Sequence, residues 1–288
     1  MLNRAEFAER FSTGVHLMDG ATGTELRKAG MPGNCCAEQW ILEHPQALVS
    51  LQTAYAEAGS EIIYAPTFRA QPLALKKWRL ETRTAEINRE LITLSRKAAP
   101  GCLIAGNMTT MEGCMVDQQE SKQEAMRNAY ECQMKTLTDS GADILAAETL
   151  MNINEAVMIL ELAQTIGAPA VMVSFTCGND GKLYSGERIT DAVCAAEQAG
   201  AAAVGINCVA ASATLPALIR TLRTATNLPL ICKPNAGLPV NGRYPVGVSE
   251  FASILYACIR NGSRLIGGCC GTTPEYISAL KKNCPVPD

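Results

Sequence analysis

Four stretches of this chain repeat one pattern: AGSEIIYAPT, SGADILAAET, AGAAAVGINC and NGSRLIGGCC. Each begins near a glycine (Gly59, Gly141, Gly200 and Gly262) placed to end a helix in the left-handed conformation, and each continues as an apolar strand. Further β-like runs lie between them, so that eight strands end near Met18, Ala65, Gly106, Glu148, Phe175, Asn207, Lys233 and Gly268. The intervening segments carry the helical period. Over 152–166, for example, Ala156, Ile159, Leu160, Ala163 and Ile166 fall on one face. Eight strand–helix units in about 250 residues match the size of an α/β (β/α)8 TIM barrel. A doubly wound open sheet is the alternative. No linker composition interrupts residues 1–288, which therefore read as one barrel domain.

The repeat also aligns the strand tips. Seven residues on from each glycine stand Pro66, Glu148, Asn207 and Cys269; eight residues on stand Thr67, Thr149, Cys208 and Cys270. In such a barrel, alternate strands contribute to common layers and the active site lies at their C-terminal ends. Any strand–helix repeat would produce the glycines, but it would not gather cysteines at two of the four tips. The Pro- and Gly-rich stretch 234–247 follows the seventh strand and is expected to lie over the same end as a lid.

Thirteen of the 288 residues are cysteine. The N-terminus MLNRAEFAERF has no signal-peptide core, and no apolar run approaches the ~18 residues that cross a bilayer. The expected location is the reducing cytoplasm, where cysteines do not form a disulfide framework. With 25 Lys+Arg against 28 Asp+Glu and no charge runs, nothing points to nucleic acid or a membrane surface as partner. The sharpest motif is Gly267-Gly268-Cys269-Cys270-Gly271. Adjacent side chains in a strand point to opposite faces, so two neighbouring cysteines serve one metal only where glycines let the chain turn. With Cys208 at another alternate tip, they would offer three thiolates and leave a fourth position open, as in a catalytic zinc site. A vicinal disulfide and plain buried thiols remain open readings of the pair. Cys35-Cys36 reads as loop packing, and Cys102, Cys132, Cys194, Cys232 and Cys258 read as core. His16 and His44 fit no catalytic spacing, and Asp19–Thr24 lacks the glycines and lysine of a phosphate loop.

The segments MDGATGTEL, AAET, GINC, KPNAGLP and GGCCGTTPEYI occur in order between residues 18 and 277. Together they resemble the homocysteine S-methyltransferase family, which includes the homocysteine-binding module of cobalamin-dependent methionine synthase and the betaine enzyme. The resemblance implies a barrel with zinc on Cys208, Cys269 and Cys270, which activates homocysteine as a thiolate to be methylated to methionine. It further implies that Asp19 and Glu148 face the substrate ammonium and that main-chain groups near Gly23 and Thr24 face its carboxylate. Asn207 and Asn235 would be pocket residues. This sequence departs from the family at two barrel-mouth positions: Pro66 stands where Asn is common, and Asn107-Met108 where Ser-(Ile/Val) is common.

The chain has the length of one barrel, so a methylcorrinoid (methylcobalamin) would be free or carried by a separate partner protein. The alternative donors are S-methylmethionine, S-adenosylmethionine and betaine. Betaine is disfavoured because quaternary ammonium groups sit in aromatic cages and the chain is only 5% aromatic, with Tyr64, Phe68 and Tyr184 near the mouth. Since Lys233–Pro239 most resembles the methionine synthase module, the methylcorrinoid is the expected donor. Two rival functions remain: methylation of another thiol, and a non-catalytic zinc protein in which Cys35, Cys36 or Cys177 would close the metal site.

Overall fold

The computed structural model describes residues 1–114, 121–178 and 180–283. Eight strands follow in chain order: β1 His16–Leu17, β2 Ile62–Tyr64, β3 Leu103–Thr109, β4 Ile144–Leu150, β5 Val171–Phe175, β6 Ala203–Ala210, β7 Leu230–Asn235 and β8 Ser263–Ile266. All named pairs are parallel, in the order β1-β8-β7-β6-β5-β4-β3-β2. A parallel bridge from Met18 to Ile62 and the Glu61 N–H donating to Leu17 O at 2.7 Å close the remaining seam. The result is the (β/α)8 barrel expected from the repeat, not an open sheet. All four repeat glycines have positive φ, between 84° and 110°, where any side chain would be strained.

The register explains what fills the ring. Ala105 pairs with Ile144, Ala146 with Met172, Met172 with Ala203, and Ile231 with Leu265. These side chains form one buried cluster together with Phe7 and Phe11. The two phenylalanines come from the first helix, α1 (Arg4–Phe11), which starts in an Asn3–Glu6 capping box and seals the N-terminal end of the barrel. Removing each phenyl ring from water contributes roughly 1.5–3 kcal/mol. The opposite, C-terminal end stays free for chemistry. The larger apolar layer lies between sheet and helices, and the face expected for helix Ile153–Ile166 is part of it: Ala156, Ile159, Leu160 and Ala163 are buried and Ile166 packs against them.

A third cluster builds one wall above the barrel mouth. Short helices α2 (Gly23–Lys28) and α3 (Ala37–Glu43) and the longer α4 (Pro45–Ala58) contribute Leu26, Ile41 and Leu48. Cys36 is buried there, in the packing role expected of it. Two cysteines expected in the core are elsewhere. Cys132 is exposed and Cys194 half-buried, because both fall on outward faces of their helices, whereas Cys102, Cys232 and Cys258 are buried as expected.

Candidate functional site

The tips of β4 and β6 share an unusual bend. Thr149 and Cys208 hold φ of 60° and 57°, a left-handed conformation rare outside glycine. Pairing slips at both places, between Ala147 and Leu150 and between Asn207 and Ala210. These are the equivalent positions that the repeat aligned. Such a residue costs about 1–3 kcal/mol and persists only where its surroundings hold it. Here Asn207 does the holding: its Oδ1 accepts from the Thr149 N–H at 2.8 Å and its Nδ2 donates to Thr149 Oγ1 at 2.7 Å. At the second bend, Asn235 Nδ2 donates to Cys208 O at 3.2 Å. The bend breaks strand alternation, so that Asn207 and Cys208 can both turn toward the mouth.

The turn after β8 brings the other two sulfurs. Gly268 N–H donates to Asp19 O, Cys269 N–H to Pro234 O and Gly271 N–H to Thr24 Oγ1, so the turn is stitched to the segment after β1, the end of β7 and the start of α2. Thr272 Oγ1 donates to Cys269 O at 2.8 Å and crowds Gly268 so closely that no Cβ fits there. The stretch 234–247 reaches this turn through Tyr244, whose ring would overlap any side chain at Gly271.

The Sγ atoms of Cys208, Cys269 and Cys270 lie within 4.8 Å of one another. Hydrogen bonds from the Cys208 and Cys269 thiols, with help from Tyr244, push the Cys270 thiol below the ordinary range. Donating to Cys208 and Cys270 pushes Cys269 well above the ordinary thiol range. Three soft sulfurs this close suit zinc, whose ~2.3 Å bonds at tetrahedral angles place sulfurs roughly 3.8 Å apart. Among the described residues no fourth His, Cys, Asp or Glu joins the group. Cys35, Cys36 and Cys177 stay outside it, which leaves the closed-site alternative without a ligand.

Beside the sulfurs opens a cavity of about 850 Å³ whose wall includes Asp19, Asn107, Glu148, Lys233, Cys269 and Cys270. Lys233 was not singled out as a site residue from the sequence, and it changes how the carboxylates work. It is 3% exposed, and its Nζ lies 2.6 Å from Asp19 Oδ1 and 3.7 Å from the centre of the Tyr64 ring. Asp19 Oδ2 accepts from the Tyr64 N–H at 2.8 Å. Burial opposes both charges of the pair, pushing the Asp19 pKa up, but the carboxylates facing Lys233 hold its ammonium above the usual lysine range. Lys233 and the Tyr64 N–H both favour the ionised form of Asp19 against that burial. Asp19 is thus already matched by a cation within the protein. Glu148 accepts from Asn107 Nδ2 at 2.7 Å and Asn207 Nδ2 at 3.1 Å, and burial raises its pKa against the field of Lys233. Lys233 therefore faces two buried carboxylates and gives its hydrogen bond to Asp19.

Gly23 and Thr24 line the cavity. Asn207 and Asn235 do not; both are buried behind it, holding Glu148 and the Cys208 backbone. Of the departures from the family pattern, Pro66 and Asn107 line the cavity, while Met108 turns away into the outer core. The three aromatic candidates do not assemble into a cage. Tyr64 has its face against Lys233, Phe68 lines the main cavity, and Tyr184 is 74% exposed beside a separate depression.

Comparison with known proteins supports the same reading. The model of the family described as homocysteine S-methyltransferase matches residues 16–284. A homocysteine S-methyltransferase of Escherichia coli is 30% identical, covering 93% of this chain and 94% of that protein. A methionine synthase of Mycobacterium leprae is 28% identical over 94% of this chain, which spans about a quarter (24%) of that longer protein. The crystal structure of the E. coli homocysteine methyltransferase in its metallated form superposes with a TM-score of 0.81 at 28% identity, covering 96% of this chain and 98% of that one. Among the described residues no helix is long and apolar enough to cross a membrane.

Proposed function

The chain belongs to the homocysteine S-methyltransferase family, and on that premise we propose that it binds zinc on Cys208, Cys269 and Cys270 and methylates the homocysteine thiol to give methionine. The observation that carries this reading is the three-sulfur cluster opening on a cavity that also holds Glu148. A free thiol with pKa near ~8.5 is largely protonated at neutral pH, and zinc on the three sulfurs would supply the charge that favours its thiolate. The chain's own groups do the rest. Glu148 faces the substrate ammonium, since Lys233 gives its ion pair to Asp19 and leaves the Glu148 carboxylate at the cavity wall. Asp19 acts through Lys233, keeping that ammonium from competing for Glu148. Main-chain groups near Gly23 and Thr24 face the substrate carboxylate, and the Thr24 hydroxyl fixes that segment to the cysteine turn. Asn207 and Asn235 hold the strand tips from behind.

The methyl donor is a methylcorrinoid, free or carried on a separate protein. The stretch Lys233–Pro239 and the methionine synthase relatives support that choice over S-methylmethionine or S-adenosylmethionine, and an aromatic content of only 5% argues against betaine. All cysteines of the described residues are free thiols, which suits a cytoplasmic enzyme. Offering homocysteine with each donor in turn and following methionine tests the assignment. Turnover is expected with methylcobalamin or a methylated corrinoid protein. Turnover with S-methylmethionine or S-adenosylmethionine alone, and none with either corrinoid, would overturn the donor.

A further inference from the structure

Glu148 has three side-chain torsions, and nothing in its own strand fixes them. Two amides from other strands do. Asn107 of β3 donates to Oε1 at 2.7 Å and Asn207 of β6 donates to Oε2 at 3.1 Å. A carboxylate only accepts, so both amides must present nitrogen to it. Asn207 cannot turn away, because all four of its hydrogen-bonding positions are used. Besides Glu148 and the two bonds to Thr149, its Oδ1 accepts from Ser174 Oγ at 2.9 Å. Asn107 is pinned through its backbone: its N–H donates to Thr67 Oγ1 at 2.9 Å, and that hydroxyl donates back to Asn107 O at 2.8 Å. The orientation of Asn107 serves Glu148 and not Asn107 itself, for its own Oδ1 is buried without a hydrogen-bond partner. Lys233 adds positive charge nearby but gives its hydrogen bond to Asp19. Each Glu148 oxygen therefore keeps acceptor capacity at the wall of the cavity.

Building on homocysteine as acceptor, we propose that Asn107 is a positioning residue that determines specificity. Paired with Asn207 it clamps the Glu148 carboxylate to receive the substrate ammonium, so that the enzyme selects a thiol bearing an α-amino group over its des-amino counterpart. An acceptor fixed before the ligand arrives does not have to be ordered on binding, which strengthens the contact only for a ligand that uses it.

The test compares homocysteine with 4-mercaptobutanoate, the same thiol without its amino group, on zinc-loaded N107L, N107D and N107S variants. The readouts are kcat/KM for each thiol and calorimetric binding of homocysteine. For N107L, which keeps the shape and removes the donor, the preference for homocysteine falls about tenfold or more. The fall is carried by KM for homocysteine, with kcat/KM for 4-mercaptobutanoate moving less than about threefold. N107D, which sets a second acceptor against Glu148, falls further, and N107S, whose hydroxyl can still donate, recovers part of the loss. A parallel fall for both thiols, or an unchanged preference, would overturn the clamp. A wild-type enzyme that neither binds nor methylates homocysteine would instead overturn the acceptor assignment beneath it.

Discussion

Cys269→Ser is expected to bring zinc below about 0.1 equivalent per chain and methionine formation down by at least ~10³-fold, with Cys208→Ser and Cys270→Ser close behind. A serine hydroxyl is a hard, weakly acidic donor and cannot replace a thiolate on zinc. The fold should survive, because the barrel is closed by its strand pairing and by Phe7 and Phe11 beneath, all remote from the sulfurs. Metal analysis of the purified variants, with circular dichroism as the control for folding, checks this. Variants of all three cysteines that keep a full zinc equivalent would place the metal elsewhere.

The strand tips that carry the sulfurs were legible in the sequence because the glycine-to-tip spacing is fixed by the fold. A helix ends on a left-handed glycine, a strand of set length follows, and equivalent side chains arrive at the mouth. That spacing located Glu148, Cys208, Cys269 and Cys270. It could not show how Cys208 turns toward its partners, since neither Thr149 nor Cys208 is a residue type that announces a left-handed bend. Nor could it show the ion pair between Asp19 and Lys233, which are 214 positions apart. The sequence places Lys233 at the end of the seventh strand, and only closure of the barrel, with β8 between β7 and β1 and the Met18–Ile62 bridge joining β1 to β2, brings it over Tyr64. A signal was present: a lysine at the end of an otherwise apolar strand, LICK, must find a counter-charge if it points inward. The outward Cys132 and Cys194 were misassigned for the opposite reason, because a small apolar residue in a helix carries little information about its face.

That ion pair gives the second large effect. Lys233→Met leaves Asp19 buried without its cation and is expected to destabilise the protein by about 3–5 kcal/mol, since removing one partner of a buried pair leaves an uncompensated charge. For a chain of this size the loss lowers Tm by roughly 5–8 °C. Neutralising both partners, in D19N with K233M, should recover most of that loss, because Asn at 19 can still accept from the Tyr64 N–H and Glu148 keeps its hydrogen bonds from Asn107 and Asn207. Thermal unfolding of the two singles and the double variant closes the cycle. A Lys233→Met protein as stable as wild type, or a double variant no better than the single, would show that the pair does not carry the charge balance of the pocket.

The zinc–thiolate account is tested most directly by X-ray absorption at the zinc edge, recorded on the wild-type enzyme before and after homocysteine is added. The expected spectrum of the enzyme alone fits three sulfurs near ~2.3 Å with one lighter atom, and homocysteine converts it to four sulfurs. Substituting Glu148→Gln should raise the homocysteine concentration needed for that change without altering the starting spectrum, since Glu148 faces the substrate and is no member of the sulfur cluster. Four sulfurs in the enzyme alone, or a zinc environment that homocysteine leaves unchanged, would contradict the account.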